Sequence, residues 1–474
     1  MNVQELIVYR DFESGKILQD MSWVINYFEK ESGEEVSGES MSHKGAREEG
    51  REGRDVSFQE QVHLAGPGSM PAQDTWEEAR GLVYSCIHGL LDLAGTYGFH
   101  GNLWHCYLTD LLVNHENSYS CACELTGSVE GTINQAALHD IAIFKEFYDY
   151  DFAPLCRWLG VPEYALVEQY EGSRQGSKVY NARICARICD LAGKFCRNHT
   201  AGEMKDTLTE FYREYGVGKF GLHKSFRIQR KKDQVWIEPI RNIAHVCLDD
   251  LVGYEIPKRK LKENTDAFVA GRAANNCLLF GDAGTGKSSC IKAIANEYYG
   301  KGLRIIEVYK HQFQDLNQVI AQIKNRHYKF ILYMDDLSFE EFETDYKYLK
   351  AVIEGGLEKR PGNVLIYATS NRRHLIRENY RDKEEIRQDM HTSDTVQEKL
   401  SLANRFGVTI YFGAPDKKQF QEIVEALARR GGVDLPREEL FAEANKWELS
   451  HGGLSGRSAQ QFVDYLLGRG RCLS

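Results

Sequence analysis

The sequence of 474 residues has no apolar run close to the roughly 18 residues that a membrane-spanning helix needs. Met1 to Leu6 contain no basic segment followed by an apolar one, so no secretory signal is visible and we expect a cytoplasmic protein without a membrane partner. Positive charge is not in excess either, because 59 Lys and Arg face 69 Asp and Glu and give a formal net charge of -10. Such a chain has no global field that would hold nucleic acid, although a local basic patch is compatible with it.

Cysteine is present, but not in the CxxC pairs that structural zinc sites favour. Twelve cysteines without a secretion signal predict reduced, mostly buried thiols rather than a disulfide framework. Cys185, Cys189 and Cys196 share one helical face. We interpret that face as an apolar stripe with cysteine as a small hydrophobe, a metal site being the less favoured alternative. The same judgement applies to a second group, His105, Cys106, His115, Cys121 and Cys123.

The length indicates several domains, because one hydrophobic core does not extend over 474 residues. A stretch rich in Gly, Glu, Ser and Arg predicts a flexible linker over residues 31–74, after a short N-terminal segment at 1–30. Apolar residues at helical spacing predict a mostly helical domain over 75–225, a candidate for partner binding. Strands and helices alternate over 226–414 and predict a parallel sheet covered by helices, and 415–474 has the pattern of a small helical lid. The predicted strands are a hairpin over 226–237 and the segments 304–308, 330–334, 364–369 and 408–412.

A glycine-rich segment lies between a short apolar strand and an amphipathic run. Its residues are Gly281, Asp282, Ala283, Gly284, Thr285, Gly286, Lys287 and Ser288, with Ser289 directly after them. Glycines let consecutive backbone N–H groups wrap a polyphosphate, the Lys287 ammonium reaches the β- and γ-phosphate oxygens, and the Ser288 hydroxyl is a hard ligand for Mg²⁺. A helix that begins at the lysine adds its N-terminal dipole. The whole segment therefore predicts binding of a nucleoside triphosphate with Mg²⁺.

Two acids end the apolar run at Phe330 to Met334, about fifty residues after the phosphate loop. We expect Asp335 to hold the metal ion through a water molecule, and Asp336 to orient or deprotonate the water that attacks the γ-phosphate. Asn371 follows the next predicted strand, where an amide can position that water. Arg405 and Arg457 lie further along the chain, and arginine there can neutralise charge on the transferring phosphoryl group.

This order of segments resembles that of the AAA+ ATPases, with Walker A, Walker B, sensor 1, arginine finger and sensor 2. Phrases such as 274–279 and 334–339 look closer still to an uncharacterised bacterial AAA+ family, domain of unknown function 815, over about 235–467. The resemblance implies an α/β P-loop NTPase core with a helical lid, preceded by the helical domain. It also implies that Gly253 and Tyr254 pack against the adenine of ATP.

Carried over residue by residue, the resemblance assigns sensor 1 to Asn371 and sensor 2, from the same chain's lid, to Arg457. Arg405 would act on the nucleotide of a neighbouring subunit, which implies a homo-oligomer. Asp336 departs from the family pattern, since most AAA+ proteins carry the longer glutamate there, and slow turnover would follow. A basic insert at 372–400 also departs from the family pattern. We favour a solvated helix there over a contact with nucleic acid. Arg381, in this insert, is a weaker candidate than Arg405 for the arginine finger.

Three functions are compatible with these features. The first is an ATPase that hydrolyses Mg-ATP to ADP and phosphate and uses the cycle to assemble or remodel an unknown protein client. The alternative is a slowly hydrolysing, nucleotide-gated switch or scaffold whose ATP state controls oligomerisation, which Asp336 favours slightly. A P-loop kinase is the third, and the series Asn371, Arg405 and Arg457 argues against it.

Overall fold

The computed structural model describes residues 1–39, 73–172, 179–231, 234–241, 243–339, 343, 345–354, 361–372, 375, 402–451 and 453–469. These residues form two compact units, Met1–Leu222 and His223–Ser474. None of the described helices carries an apolar stretch long enough to cross a membrane.

The first unit is helical throughout its described part, as the sequence predicts. Its helices are α1 (Lys16–Glu39), α2 (Gln73–Tyr97), α3 (Leu103–Asn114), α4 (Ser118–Thr126), α5 (Thr132–Asp149), α6 (Phe152–Leu159), α7 (Ala165–Glu168), α8 (Ala182–Arg197), α9 (Ala201–Tyr215) and α10 (Gly218–Leu222). Helix α8 shows why these segments are helical. The Asn181 side chain caps its first turn by accepting from Ile184 N, and Ile184, Ile188 and Phe195 bury one face.

The N-terminal segment belongs to the same hydrophobic core as α2 to α9. Leu18, Met21 and Val24 of α1 are fully buried in that core. The buried Asp140 carboxylate of α5 also binds this segment, accepting backbone N–H groups from residues 7, 8 and 9. The structure thus differs from the sequence analysis in continuing α1 to Glu39, past the start of the expected linker at 31, because burial of its first turns supports the whole helix. Residues 40–72 of that expected linker lie outside the described residues.

The described residues of the second unit form a sheet of seven strands. They are β1 (Ser225–Lys231), β2 (Gln234–Pro239), β3 (Cys277–Gly281), β4 (Leu303–Glu307), β5 (Lys329–Met334), β6 (Val364–Ser370) and β7 (Val408–Phe412). Their order is β2-β1-β4-β5-β6-β3-β7, with β1 and β2 an antiparallel hairpin and all other pairs parallel. Each lies within a residue or two of the segment expected from the sequence.

Helices flank the strands and complete the described core of this unit. They are α11 (Glu255–Val269), α12 (Lys287–Tyr298), α13 (Leu316–Ile323) and α14 (Tyr346–Glu354). All seven residues of β6 are buried, as expected for a strand covered on both faces. Because β5, β6 and β3 are neighbours and parallel, the residues that follow their carboxyl ends meet at one edge of the sheet.

Three further helices form a small lid after β7. They are α15 (Lys417–Gly431), α16 (Arg437–His451) and α17 (Gly456–Gly468). Phe420, Leu440 and Phe462 contribute to a hydrophobic cluster of their own. The Ser455 side chain caps α17 by accepting from Ser458 N, which fixes where that helix begins.

Candidate nucleotide-binding site

A cleft of about 660 Å³ lies where the ends of β3, β5 and β6 meet. Its described lining comes from the segment before α11, the loop between β3 and α12, the residues after β5 and β6, and the lid. The lining residues are Asp250, Leu251, Val252, Tyr254, Ala283, Gly284, Thr285, Gly286, Lys287, Ser288, Ser289, Asp335, Asp336, Thr369, Asn371, Ile423, Leu427, Gly456, Arg457, Gln460 and Gln461. The sequence-based candidates from five separate segments therefore meet in one cleft.

The loop between β3 and α12 has the backbone of a phosphate cradle. Gly284 and Gly286 have φ angles of 74° and 88°, a left-handed region that glycine adopts without strain. At Gly281, a Cβ atom would lie 2.0 Å from the Phe412 carbonyl oxygen, so only glycine fits beside β7. Helix α12 begins at Lys287 and directs its N-terminus at the loop. This local geometry fits a triphosphate.

The Lys287 ammonium lies at the base of the loop. It donates to the carbonyl oxygens of Gly281, at 2.9 Å, and Asp282, at 2.6 Å. Burial lowers the pKa of Lys287, and the charge of Arg457 lowers it further, although the nearby carboxylates oppose both effects. A polyphosphate beside this amine would favour its charged form.

Three hydroxyl groups converge on a single oxygen of Asp335. Its Oδ1 atom accepts from Ser288 Oγ at 2.7 Å, from Tyr333 OH at 2.7 Å and from Thr369 Oγ1 at 2.6 Å. Burial alone would raise the pKa of Asp335, but these three hydrogen bonds together hold the pKa below its usual value. An ionised carboxylate beside a serine hydroxyl is a donor set of hard oxygens, which fits Mg²⁺.

Asp336 lies next to this group in an unusual backbone conformation. Its φ angle is 49°, in the left-handed region that aspartate tolerates better than most residues. Its backbone N–H donates to Thr369 Oγ1 at 3.0 Å, and its Oδ1 atom accepts from Asn371 Nδ2 at 2.8 Å. The turn thus aims Asp335 and Asp336 in different directions and pairs Asp336 with the expected sensor residue.

The lid closes the cleft on the phosphate side. Arg457 N donates to the Gly284 carbonyl at 3.3 Å, so the first turn of α17 lies against the phosphate loop. A Cβ atom at Gly284 would lie 3.0 Å from Ser455 Oγ and 3.1 Å from Arg457 Cβ. Arg457 therefore enters the cleft from the same chain, beside the loop.

The opposite end of the cleft is more apolar. Leu251 and Val252 precede Gly253, which has a φ angle of 76° and leaves no room for a Cβ atom beside Gln419 of the lid. Tyr254 caps α11 and donates from its hydroxyl to the Gly413 carbonyl at 3.0 Å. Gly253 thus shapes this wall rather than lining it, whereas Tyr254 reaches the cleft directly.

Arg405 is not among the described residues that line the cleft. Its Nε atom donates to Glu354 Oε1 of α14 at 2.6 Å, and a second guanidinium nitrogen forms an ion pair with the same carboxylate. The structure therefore brings Arg457, but not Arg405, to the nucleotide site of its own chain. Most of the basic insert at 372–400, including the rival Arg381, lies outside the described residues.

The sequence analysis does not identify Tyr333, which contacts Asp335, or the lining residues Thr369, Gln460 and Gln461. Tyr333 was part of an apolar strand, and only its position two residues before Asp335, on the same face of β5, could have indicated a contact. The sequence assigns Thr369 to a strand and predicts no function for its hydroxyl. Gln460 and Gln461 follow Arg457 by about one helical turn, and that spacing on α17 is the signal that could have identified them.

Known proteins resemble parts of this chain. A replication factor C small subunit from Haloarcula marismortui is 34% identical over 96 residues, which is 20% of this chain. The chain spans about a quarter of the length of that relative, 27%. Among solved structures, the RuvB Holliday junction branch migration motor of Thermotoga maritima has a TM-score of 0.34 and 15% identity, covering 48% of this chain and 68% of that one.

Residues 222–470 match the family described as "Protein of unknown function (DUF815)". This span includes every strand of the sheet, the whole cleft and the lid. The resemblance to this family found in the sequence is thereby confirmed, and the structure shows the expected α/β fold, a largely parallel sheet covered by helices with a helical lid and a helical N-terminal region. The chain belongs to the DUF815 family.

Proposed function

We propose that this protein binds Mg-ATP in the cleft, hydrolyses it to ADP and phosphate, and uses that cycle to assemble or remodel a protein client. The observation that carries the proposal is the convergence of Ser288, Tyr333 and Thr369 on one oxygen of Asp335, beside Lys287 and the glycine-rich loop. Three hydroxyls that fix one carboxylate next to a phosphate cradle support metal-assisted phosphoryl chemistry.

Each side chain has a distinct part in the proposed reaction. The loop amides and Lys287 bind the β- and γ-phosphates, and Ser288 and Asp335 would hold the Mg²⁺ that neutralises phosphate charge. Asp336 accepts a proton from the attacking water, while the Asn371 amide holds the Asp336 carboxylate in position. The new bond forms between water oxygen and the γ-phosphorus as the bond to the ADP oxygen breaks.

Arginine completes the proposed site from two sides. Arg457 neutralises charge on the γ-phosphoryl group from the lid of the same chain. Arg405 serves the site of a neighbouring subunit, and its position outside its own cleft is compatible with that role. The proposed assembly is therefore a homo-oligomer whose sites lie between subunits, with the N-terminal helical unit binding the client.

Calorimetric titration with Mg-ATP and measurement of phosphate release test the nucleotide part. We expect wild type to bind and to release phosphate, and Lys287→Ala to lose both. Lys301→Ala is the matched control, because Lys301 is an exposed lysine of the same unit that pairs with Asp266. Absence of a binding signal for folded wild type, or equal binding by Lys287→Ala, would contradict the proposal.

The role of Arg405 is tested through its partner in the structure. If Arg405 acts in trans, phosphate release per subunit rises with protein concentration in wild type, and Arg405→Ala abolishes that rise. Glu354→Gln removes the charge of its ion-pair partner but keeps the guanidinium, so we expect the concentration dependence to persist. If Arg405→Ala and Glu354→Gln lose the concentration dependence equally, Arg405 acts only through the ion pair with Glu354.

A nucleotide-gated switch is the second candidate, and one observation favours it. Asp336 is one methylene shorter than glutamate, and its Oδ1 atom is already engaged by Asn371. A carboxylate held in this way binds water less closely and makes hydrolysis slow. Tight Mg-ATP binding with ATP-dependent oligomerisation and negligible phosphate release would select the switch over the ATPase.

A further inference from the structure

Four metal-ligating side chains meet in the N-terminal unit. They are His100, Cys106, Cys185 and Cys189. Cys189 Sγ lies 3.8 Å from Cys106 Sγ and 3.8 Å from His100 Nδ1. The ligand atoms of His100, Cys185 and Cys189 all lie within 4.8 Å of one another. Two sulfurs and one imidazole nitrogen therefore share a small volume, and the Cys106 sulfur adjoins it through Cys189.

Two elements supply these four groups. His100 lies just before α3, and Cys106 lies on the first turn of α3. Cys185 and Cys189 lie four residues apart on α8, so their side chains project from one face at successive turns. The cluster thus spans two packed helices that are distant in sequence, the arrangement that a metal ion can crosslink.

The spacing of the ligand atoms matches a tetrahedral ion. Two sulfurs that each lie about 2.3 Å from a tetrahedral Zn²⁺ are about 3.8 Å apart, and a sulfur and an imidazole nitrogen are about 3.6 Å apart. The corresponding separations here are 3.8 Å between Cys106 and Cys189 and 3.8 Å between Cys189 and His100. The ligand atoms of His100, Cys185 and Cys189 already lie within 4.8 Å of one another, whereas Cys106, which lies 3.8 Å from Cys189, has to move towards His100 and Cys185 when the ion binds.

The surroundings also suit a thiolate ligand set. Cys106 and Cys185 are buried, whereas His100 is exposed, so the cluster is closed on the protein side and reachable by an ion from the imidazole side. Cys189 is half-buried and lies on α8 with Cys185.

We propose that His100, Cys106, Cys185 and Cys189 bind one zinc ion as a tetrahedral Cys₃His site that joins α3 to α8. Zinc is the ion that closed sites of this composition take in proteins. The Cys185 thiol, which donates to the Gly98 carbonyl at 2.7 Å, gives up its proton to solvent on binding, and so does Cys106. Zinc affinity consequently falls as pH falls.

Full-length protein, purified under reduction and stripped by a chelator, is titrated with Zn²⁺ and, separately, with Co²⁺. We expect one Zn²⁺ per chain, and a Co²⁺ spectrum with thiolate charge transfer and tetrahedral ligand-field bands. Cys189→Ser should weaken zinc binding by more than about 100-fold, beyond what losing an outer hydrogen-bond partner of a ligand costs. Cys196→Ser is the matched control, because Cys196 lies on the same helix but contacts His105 instead, at 3.1 Å.

His100→Asn guards against a folding defect in the cysteine variant, since His100 is exposed and its replacement leaves the core intact. We expect a weakened site and an altered Co²⁺ spectrum with unchanged circular dichroism. The proposal is overturned if folded wild type binds no zinc, or if Cys189→Ser binds it as tightly as Cys196→Ser. It is also overturned if mass spectrometry shows that reduced protein forms a Cys106–Cys189 disulfide in air with excess Zn²⁺ present, because a bound ion would protect both thiols.

Discussion

Replacing Tyr333 with phenylalanine removes one of the three hydrogen bonds to Asp335 and leaves the buried ring in place. Burial raises the pKa of Tyr333 well above its usual value, so its hydroxyl stays protonated and donates to Asp335 Oδ1 at 2.7 Å. A hydrogen bond to a charged group contributes about 1.5–3 kcal/mol. Because Ser288 and Thr369 still donate to the same oxygen, we expect Tyr333→Phe to lower the free energy of unfolding by about 1.5 kcal/mol, the lower end of this range.

The functional effect of Tyr333→Phe should be larger than the loss of stability suggests. Removing an outer partner of a metal ligand costs about 10–100-fold in metal affinity or activity. We therefore expect the Mg²⁺ concentration for half-maximal phosphate release to rise by that factor at saturating ATP. The pKa of Asp335 should also rise towards its usual value, because a hydrogen bond that favoured the ionised form is gone. The acid limb of the pH–rate profile would then move to higher pH.

Tyr367→Phe is the matched control for this experiment. Tyr367 is a buried tyrosine on the neighbouring strand β6, and its hydroxyl contacts Asn264 at 2.9 Å and Thr265 at 3.0 Å, away from Asp335. We expect it to lower the melting temperature without changing the Mg²⁺ dependence. Equal Mg²⁺ dependence in Tyr333→Phe, Tyr367→Phe and wild type would refute the argument that the hydroxyls around Asp335 prepare a metal site.

Three other predictions concern backbone strain, titration and the length of a carboxylate. Gly284→Ala should weaken Mg-ATP binding in calorimetry, because the new Cβ atom would crowd Ser455 and Arg457 of the lid. Gly271→Ala is the control, since Gly271 has the same φ of 74° but open space around it. It should only lower the free energy of unfolding, by about 1–2 kcal/mol of backbone strain. Burial raises the pKa of Asp110 from 3.8 to about 7, so the folded form holds a proton that the unfolded form loses between these values. Stability should therefore fall as pH rises through that window, by up to about 1.4 kcal/mol per pH unit, and Asp110→Asn should flatten the dependence of melting temperature on pH. Asp336→Glu should speed single-turnover hydrolysis without tightening ATP binding, and an unchanged or lower rate would remove the explanation for slow turnover.

Local patterns made the nucleotide cleft predictable, and distant contacts limited the prediction. Glycines at positive φ and a lysine at a helix start are a local signal, so the phosphate loop could be identified before any fold was known. The contact of Thr369 with Asp335 depends on the pairing of β5 with β6, which the spacing of residues along the chain does not encode. The apolar character of β5 likewise hid Tyr333 among core residues.

The cysteines show the same limit in a different way. Cys185 and Cys189 share a helical face, but one face gives no information on what packs against it. Cys106 and His100 reach that face only because α3 packs on α8, more than eighty residues away in sequence, as the separation of 83 residues between Cys106 and Cys189 indicates. A buried apolar helix face and a metal-binding helix face can both carry cysteines at this spacing. The sequence analysis therefore favours the apolar face, which is the commoner of the two.

One contact of the lid constrains how nucleotide could leave. Arg430 of α15 donates to the carbonyl oxygens of Asp249, at 3.1 Å, and Asp250, at 2.7 Å, on the apolar side of the cleft. If the lid opened at that end, it would have to break both hydrogen bonds or move together with the segment that precedes α11. In the proposed cycle, departure of ADP should therefore begin where α17 meets Gly284, so that the phosphates come free before the base does.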